Sequence, residues 1–161
     1  MTLIVDVSAE GVRTPLSRER VRDIALAALR AERVRDAFIS IALVSPQQIA
    51  RLNRAHLGHA GPTDVISFAL GAASPAAARQ PVVGDIYIAP AVARANAARF
   101  GGGVRDEIAR LVVHGTLHVL GYEHPDGAGR TESPMWRRQE QILARTRTLT
   151  RRAGATATGH R

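Results

Sequence analysis

The sequence predicts an α/β fold: a small mixed four-stranded sheet packed with about five helices, one of which lies at its centre. Three observations predict it. The elements read in the order β-α-β-α-β-β-α-α-α, which combines crossover connections with one hairpin and so yields a mixed sheet. The run Phe38-Ile39-Ser40-Ile41-Ala42-Leu43-Val44 is almost continuously apolar and of strand length, as expected of a central strand covered on both faces. From Val104 onward the helical pattern is apolar on more than one side. Val104, Ile108, Val112 and Val119 form one stripe, and Leu111, His114 and His118 form its neighbour, so this helix belongs in the interior.

Taken in order, residues 3–7 form a short β run. Ser17 caps a helix in which Val21, Ile24, Ala25, Ala28 and Leu29 recur at helical spacing with arginines opposite. After the central strand, Ser45-Pro46-Gln47-Gln48 combines a capping serine, a first-turn proline and a glutamine three residues on, which predicts a second helix to about His56. Residues 63–70 read as a strand, residues 71–81 as a long hairpin loop rich in small residues, and residues 82–89 as the return strand. Pro90 opens a helix to about Phe100, Gly101-Gly102-Gly103 breaks it, and the central helix begins near Val104 with Asp106 and Glu107 in its first turn. Gly115 in mid-helix costs about 1 kcal/mol relative to alanine, which implies close approach by a neighbouring element. Ser133-Pro134 starts a last helix presenting Met135, Trp136, Ile142 and Leu143.

The chemistry concentrates in His114-Gly115-Thr116-Leu117-His118-Val119-Leu120-Gly121-Tyr122-Glu123-His124. His114 and His118 are four apart and share one helix face. Gly121 can take the left-handed conformation that ends a helix and returns the chain, so His124 can join them. Three neutral imidazoles on a tetrahedral zinc leave one position for water, the arrangement of a catalytic site. The central helix is therefore a metal-binding helix, with His114, His118 and His124 as its ligands. The spacing matches the H-E-x-x-H-x-x-G-x-x-H pattern of metzincin peptidases, except that Gly115 stands where the peptidase has its glutamate base.

At 161 residues and 45% apolar content the chain suits one globular domain, placed at residues 1–149, with a basic disordered tail at 150–161. It has no cysteine, which leaves imidazole and carboxylate as metal ligands and fits a reducing, cytoplasmic setting. No stretch approaches membrane-spanning length, so no membrane partner is expected. The net charge is +8, all 22 basic residues being arginine, and favours a polyanion such as RNA. Five of those arginines, with no acid, lie in residues 145–161, where a solvated extension and a nonspecific RNA-gripping arm both remain open.

Three segments, Thr63-Asp64-Val65-Ile66-Ser67-Phe68, Gly84-Asp85-Ile86-Tyr87-Ile88 and the histidine segment from Leu111 to His124, together resemble the bacterial YbeY family of metal-dependent endoribonucleases. The resemblance spans most of the chain, from about Leu3 to Leu149, in the family's order. It implies one Zn2+ per chain held by His114, His118 and His124, in a zinc-dependent, single-strand-specific endoribonuclease acting in ribosomal RNA maturation, at the 3′ end of the small-subunit RNA, and in ribosome quality control. Its implied partners are ribosomal RNA precursor and the small ribosomal subunit, with no DNA. Where the family commonly has an arginine facing substrate, this chain has Leu57; the nearest residues able to contact a phosphate are His59 and Arg54. Asp64, Asp85 and Glu123 are the acids nearest the motifs, and which group is general base stays open; Asp64 and Asp85 are equally turn residues or residues that orient an imidazole. Ser67 could donate a hydrogen bond to phosphate. Two other functions remain: a zinc hydrolase of another substrate, and a ribosome assembly or binding factor with a mainly structural metal.

Overall fold

The structure, a computed structural model, describes residues 1–58, 61, 63–71, 80–125 and 129–150. β1 (Thr2–Ser8), α1 (Arg18–Ala31), β2 (Asp36–Leu43), α2 (Pro46–Leu52), β3 (Val65–Ala69), β4 (Val82–Ile88), α3 (Pro90–Phe100), α4 (Val104–Val119) and α5 (Pro134–Thr150) follow in the predicted order. The sheet order is β1-β2-β4-β3. β1, β2 and β4 are mutually parallel and β3 runs antiparallel to β4, so the sheet is mixed as expected.

The predicted helix starts carry their caps. Ser17 Oγ accepts from the Arg20 amide at 3.2 Å. Ser45 and Gln48 form a reciprocal capping box, at 3.1 and 2.9 Å. Ser133 Oγ accepts from the Trp136 amide at 3.2 Å, opening α5. One apolar core runs from Val5 and Ile39 through Ile24, Leu29, Ile86, Ile108, Val112 and Leu117 to Ile142, joining α1, α4 and α5 to one face of the sheet.

α4 lies against β4 through a reciprocal interlock. A Cβ on Gly115 would stand 2.8 Å from Ile86 Cγ2, so the glycine is the hole that receives the isoleucine. A Cβ on Gly84 would stand 2.7 Å from Val119 Cγ2 and closer still to Cγ1, so here the strand supplies the hole. Four helical residues rise about 6 Å and two strand residues about 6.6 Å. The pairs 115/119 and 84/86 therefore match, with helix and strand running in opposite directions. His114 and His118 each precede one member of this interlock.

Three sequence expectations need correction. β2 is covered on one face only: Ile39 and Ile41 are buried, but Phe38 is 47% exposed beside Ile4 at 44%. The large helices share the other face, while α2 covers this one only near β3 and β4, with Ile49 against Ile66, Phe68 and Tyr87. α2 itself ends at Leu52, and the stretch expected to reach His56 is completed by a π-helical turn, Asn53–Leu57, that ends at Gly58 with φ +68°. That turn buries Asn53, whose Nδ2 donates to the Gly61 carbonyl at 3.0 Å. β3 starts at Val65, two residues later than expected: the Asp64 carbonyl still accepts from the Ala89 amide in register at 3.0 Å, while its carboxylate accepts from Asn96 Nδ2 at 3.3 Å. Most of the predicted hairpin loop, and the tail beyond Thr150, lie outside the described residues. Among the described residues no helix is long and apolar enough to cross a membrane.

Candidate metal centre

The last two turns of α4 carry His114 and His118, and the turn after them returns His124 to the same point. Gly121 sits at φ +101°, and the Tyr122 amide donates back to the Leu117 carbonyl at 3.0 Å, closing the helix end. The ring centroids are 4.5 Å apart for His114 and His118, and 5.0 Å from each to His124. One ring nitrogen from each lies within 4.8 Å of the other two, a group that could hold a metal ion.

Each ring is oriented through Nδ1. His114 Nδ1 meets Gln139 Oε1 at 2.8 Å, His118 Nδ1 meets the Tyr122 carbonyl at 2.9 Å, and His124 Nδ1 meets the Pro125 carbonyl at 3.1 Å. All three partners are oxygens that only accept, so each Nδ1 carries the proton and each Nε2 keeps its lone pair free for a cation. Gln139 is itself buried, and its Nε2 donates to Glu140 Oε1 at 3.4 Å, which fixes which end of the amide faces the ring. The donor set fits a zinc-type ion: imidazole nitrogens, no thiolate, and an oxygen acceptor behind each ring.

Electrostatics hold the rings in the ligand form. Burial pulls the His114 pKa down to about 4, against the opposing Gln139 hydrogen bond, and the neighbouring His118, Arg130 and His124 lower it further. Burial also lowers His118, opposed by the Tyr122 carbonyl and reinforced by His124 and Arg130. Both imidazoles are neutral near pH 7.

The Tyr122 backbone that receives His118 is anchored by its own side chain. Its hydroxyl lies 3.2 Å from both Glu32 carboxylate oxygens. Arg138 Nε reaches Glu32 at 2.7 Å, and its Nη2 donates to the Ala31 carbonyl at 2.8 Å. The end of α1, the turn after α4 and the start of α5 thus meet at one carboxylate.

Of the other residues singled out in the sequence, Arg54 is exposed on the π-helical turn, and no hydrogen bond, ion pair or ring contact links it to the three histidines. Leu57, on the same turn, is 49% exposed. His59 lies outside the described residues. Asp85 does not orient an imidazole: Gly84 and Ile86 face α4, so the residue between them points to the opposite face. Asp64 holds Asn96 instead. Ser67 pairs with Ile86 and shares the sheet face turned to α4. Glu123 is exposed, and its charge acts on His118. The peptidase reading loses ground at Gly115, where Ile86 fills the space that a side chain would need.

Two residues of this neighbourhood escaped the sequence reading. Gln139 interrupts the buried α5 series Met135, Gln139, Ile142 and Thr146, a polar residue at an apolar position, and that break was a usable signal. Arg130 had none, because it sits in a polar loop that only the fold brings back to α4.

Comparison with known proteins agrees with this geometry. A sequence model of the family described as Endoribonuclease YbeY matches residues 7–147. A Bacillus licheniformis protein named Endoribonuclease YbeY is 36% identical over 158 residues, covering 90% of this chain and 96% of its own. One of the same name from Geobacillus kaustophilus is 37% identical over 152 residues, covering 87% and 89%. The solution structure of a Thermotoga maritima protein superposes with a TM-score of 0.60 at 21% identity, covering 98% of this chain and 100% of that one, a likeness of fold. With the histidine centre placed on α4 and the match running almost from end to end, the chain belongs to the YbeY family of endoribonucleases.

Proposed function

We propose that the protein is a zinc-dependent, single-strand-specific endoribonuclease that matures ribosomal RNA, acting in the cytoplasm at the 3′ end of the small-subunit RNA and in ribosome quality control. The observation that carries this reading is the convergence of three Nε2-presenting imidazoles in a chain of this family. His114, His118 and His124 would hold the ion. Bound there, zinc supplies a water of pKa about 7 and a Lewis acid for a phosphoryl oxygen. The protein's part is to keep His114 and His118 neutral by burial and to aim the three rings through Gln139, Tyr122 and Pro125. Arg54 and His59 are the proposed phosphate contacts, taking the role that the exposed Leu57 cannot fill. The substrate is ribosomal RNA precursor on or near the small subunit, with neither DNA nor membrane as partner.

The test is cleavage of single-stranded ribosomal RNA by metal-quantified protein, with His114→Ala purified in parallel. Cleavage that tracks bound zinc and vanishes in the variant is the expected result. Bound zinc without cleavage above the variant would overturn it. That outcome would favour a ribosome assembly factor with a structural metal, the reading to which exposed, uncharged Leu57 lends support.

A further inference from the structure

A groove of about 640 Å3 opens between α3, α4 and the start of α5. Leu111 and His114 of α4 line it together with Arg99 of α3, Arg130 and Trp136. His114 belongs both to the histidine centre and to the lining of this groove, so the groove borders the centre. Trp136 is half-buried, and the Arg130 guanidinium carbon lies 6.0 Å from its ring centroid. The groove also holds two acids, each engaged by a donor of the same groove: Glu107 by Arg110 at 2.7 Å, and Asp64 by Asn96 at 3.3 Å. Arg110 is shared between Glu107 and, at 3.4 Å, Glu140, so the cation set against the aromatic ring is Arg130.

An aromatic ring and a guanidinium on the wall of one groove form an arrangement that receives unpaired nucleobases. The base stacks on the ring, every base has a π face, and the cation takes the adjoining phosphate. A duplex keeps its base faces stacked on one another and cannot offer one. The groove's size is also in the range that encloses a ligand of nucleotide dimensions. Resting on the endoribonuclease reading, we propose that Trp136 stacks one unpaired nucleobase next to the cleaved phosphate and that Arg130 contacts a phosphate of the same strand, so that this groove is the origin of single-strand selectivity.

The chain has one tryptophan, so fluorescence excited selectively in the indole, at about 295 nm, reports on this groove. The probe is a short single-stranded oligoribonucleotide with 2′-O-methyl, phosphorothioate linkages, which resists cleavage, added to zinc-loaded wild-type protein, with the same sequence annealed to its complement as the control. Saturable quenching by the single strand and little by the duplex is expected, weakening as salt rises and with a shallower salt dependence in Arg130→Gln. In cleavage assays Trp136→Ala should raise KM about tenfold while Trp136→Phe stays within about threefold of wild type, zinc content serving as the check on folding. Unquenched emission with single-stranded RNA, or a Trp136→Ala protein with wild-type KM, would overturn the subsite even while zinc-dependent cleavage survives. Quenching without any zinc-dependent cleavage would uphold the groove as an RNA site and overturn the nuclease reading instead.

Discussion

Gly84→Ala should be among the most damaging single-atom additions the fold can receive. The new Cβ would lie 2.7 Å from Val119 Cγ2, closer to Cγ1, and 2.9 Å from the Phe68 carbonyl oxygen. None of these can yield easily. Valine in a helix is held to essentially one χ1 rotamer, and the carbonyl is backbone of the adjacent strand. Overpacking of a filled interior costs about 1–3 kcal/mol, and a three-sided contact with stiff partners belongs at the upper end. Removing a strand glycine returns about 0.5–1 kcal/mol of backbone entropy, leaving a net loss of about 2 kcal/mol, or roughly 4–8 °C in Tm for a domain of this size. Urea unfolding of the metal-free protein measures it. Val119→Ala deletes both opposing methyls and should itself cost about 2 kcal/mol, yet the double variant should cost less than the sum by at least about 1 kcal/mol, since the second change makes room for the first. Zinc affinity should fall in Gly84→Ala and recover in part in the double variant, because Val119 follows His118 directly. A Gly84→Ala protein within about 0.5 kcal/mol of wild type, or singles that simply add, would refute the interlock as what sets the position of α4.

Gln139→Ala should lower zinc affinity about 10- to 100-fold, read by chelator competition, while Gln139→Glu should hold or tighten it. If Gln139→Ala binds zinc as wild type does, the ring does not depend on that hydrogen bond. Metal-free protein should lose stability as pH falls from about 6.5 toward 4: the unfolded chain protonates His114 near 6.5, whereas the folded one resists to about 4. Integrated over that window the loss is about 3 kcal/mol, and His114→Asn should flatten the profile; a wild-type curve equally flat would refute the burial argument. Glu32→Gln should bring the Tyr122 phenol, now held above its ordinary value by burial and by Glu32, to a lower pKa in an alkaline titration at 295 nm, and should speed zinc release. An unmoved phenol would mean that Glu32 does not act on it in solution.

The sequence carried the element order, the capped helix starts and the three histidines, because each is a local signal: spacing, a cap residue, a glycine. Gly115 was legible as a close approach, and Ile86 is what approaches. What the sequence did not carry depends on which side of the sheet a helix takes. Phe38 sits in an apolar run that looks doubly covered, and its exposure follows only from α1, α4 and α5 all choosing the other face. Asp85 is adjacent to a motif yet faces away from the centre, a matter of strand alternation fixed by Gly84 meeting Val119. Arg130 and Gln139 reach His114 across sixteen and twenty-five positions of chain, so no window around the histidines contains both.

Two of the three oxygens that orient the imidazoles are main-chain carbonyls, those of Tyr122 and Pro125. A carbonyl survives any substitution that preserves the local chain path, whereas a side-chain acceptor disappears with a single codon change. Inherited variation can therefore silence the aim of His118 or His124 only by bending the turn that holds them. His114 alone relies on an acceptor, Gln139, that mutation can delete or exchange outright. Drift in this centre should accumulate first along α5, leaving the ligands themselves unaltered while their basicity is retuned.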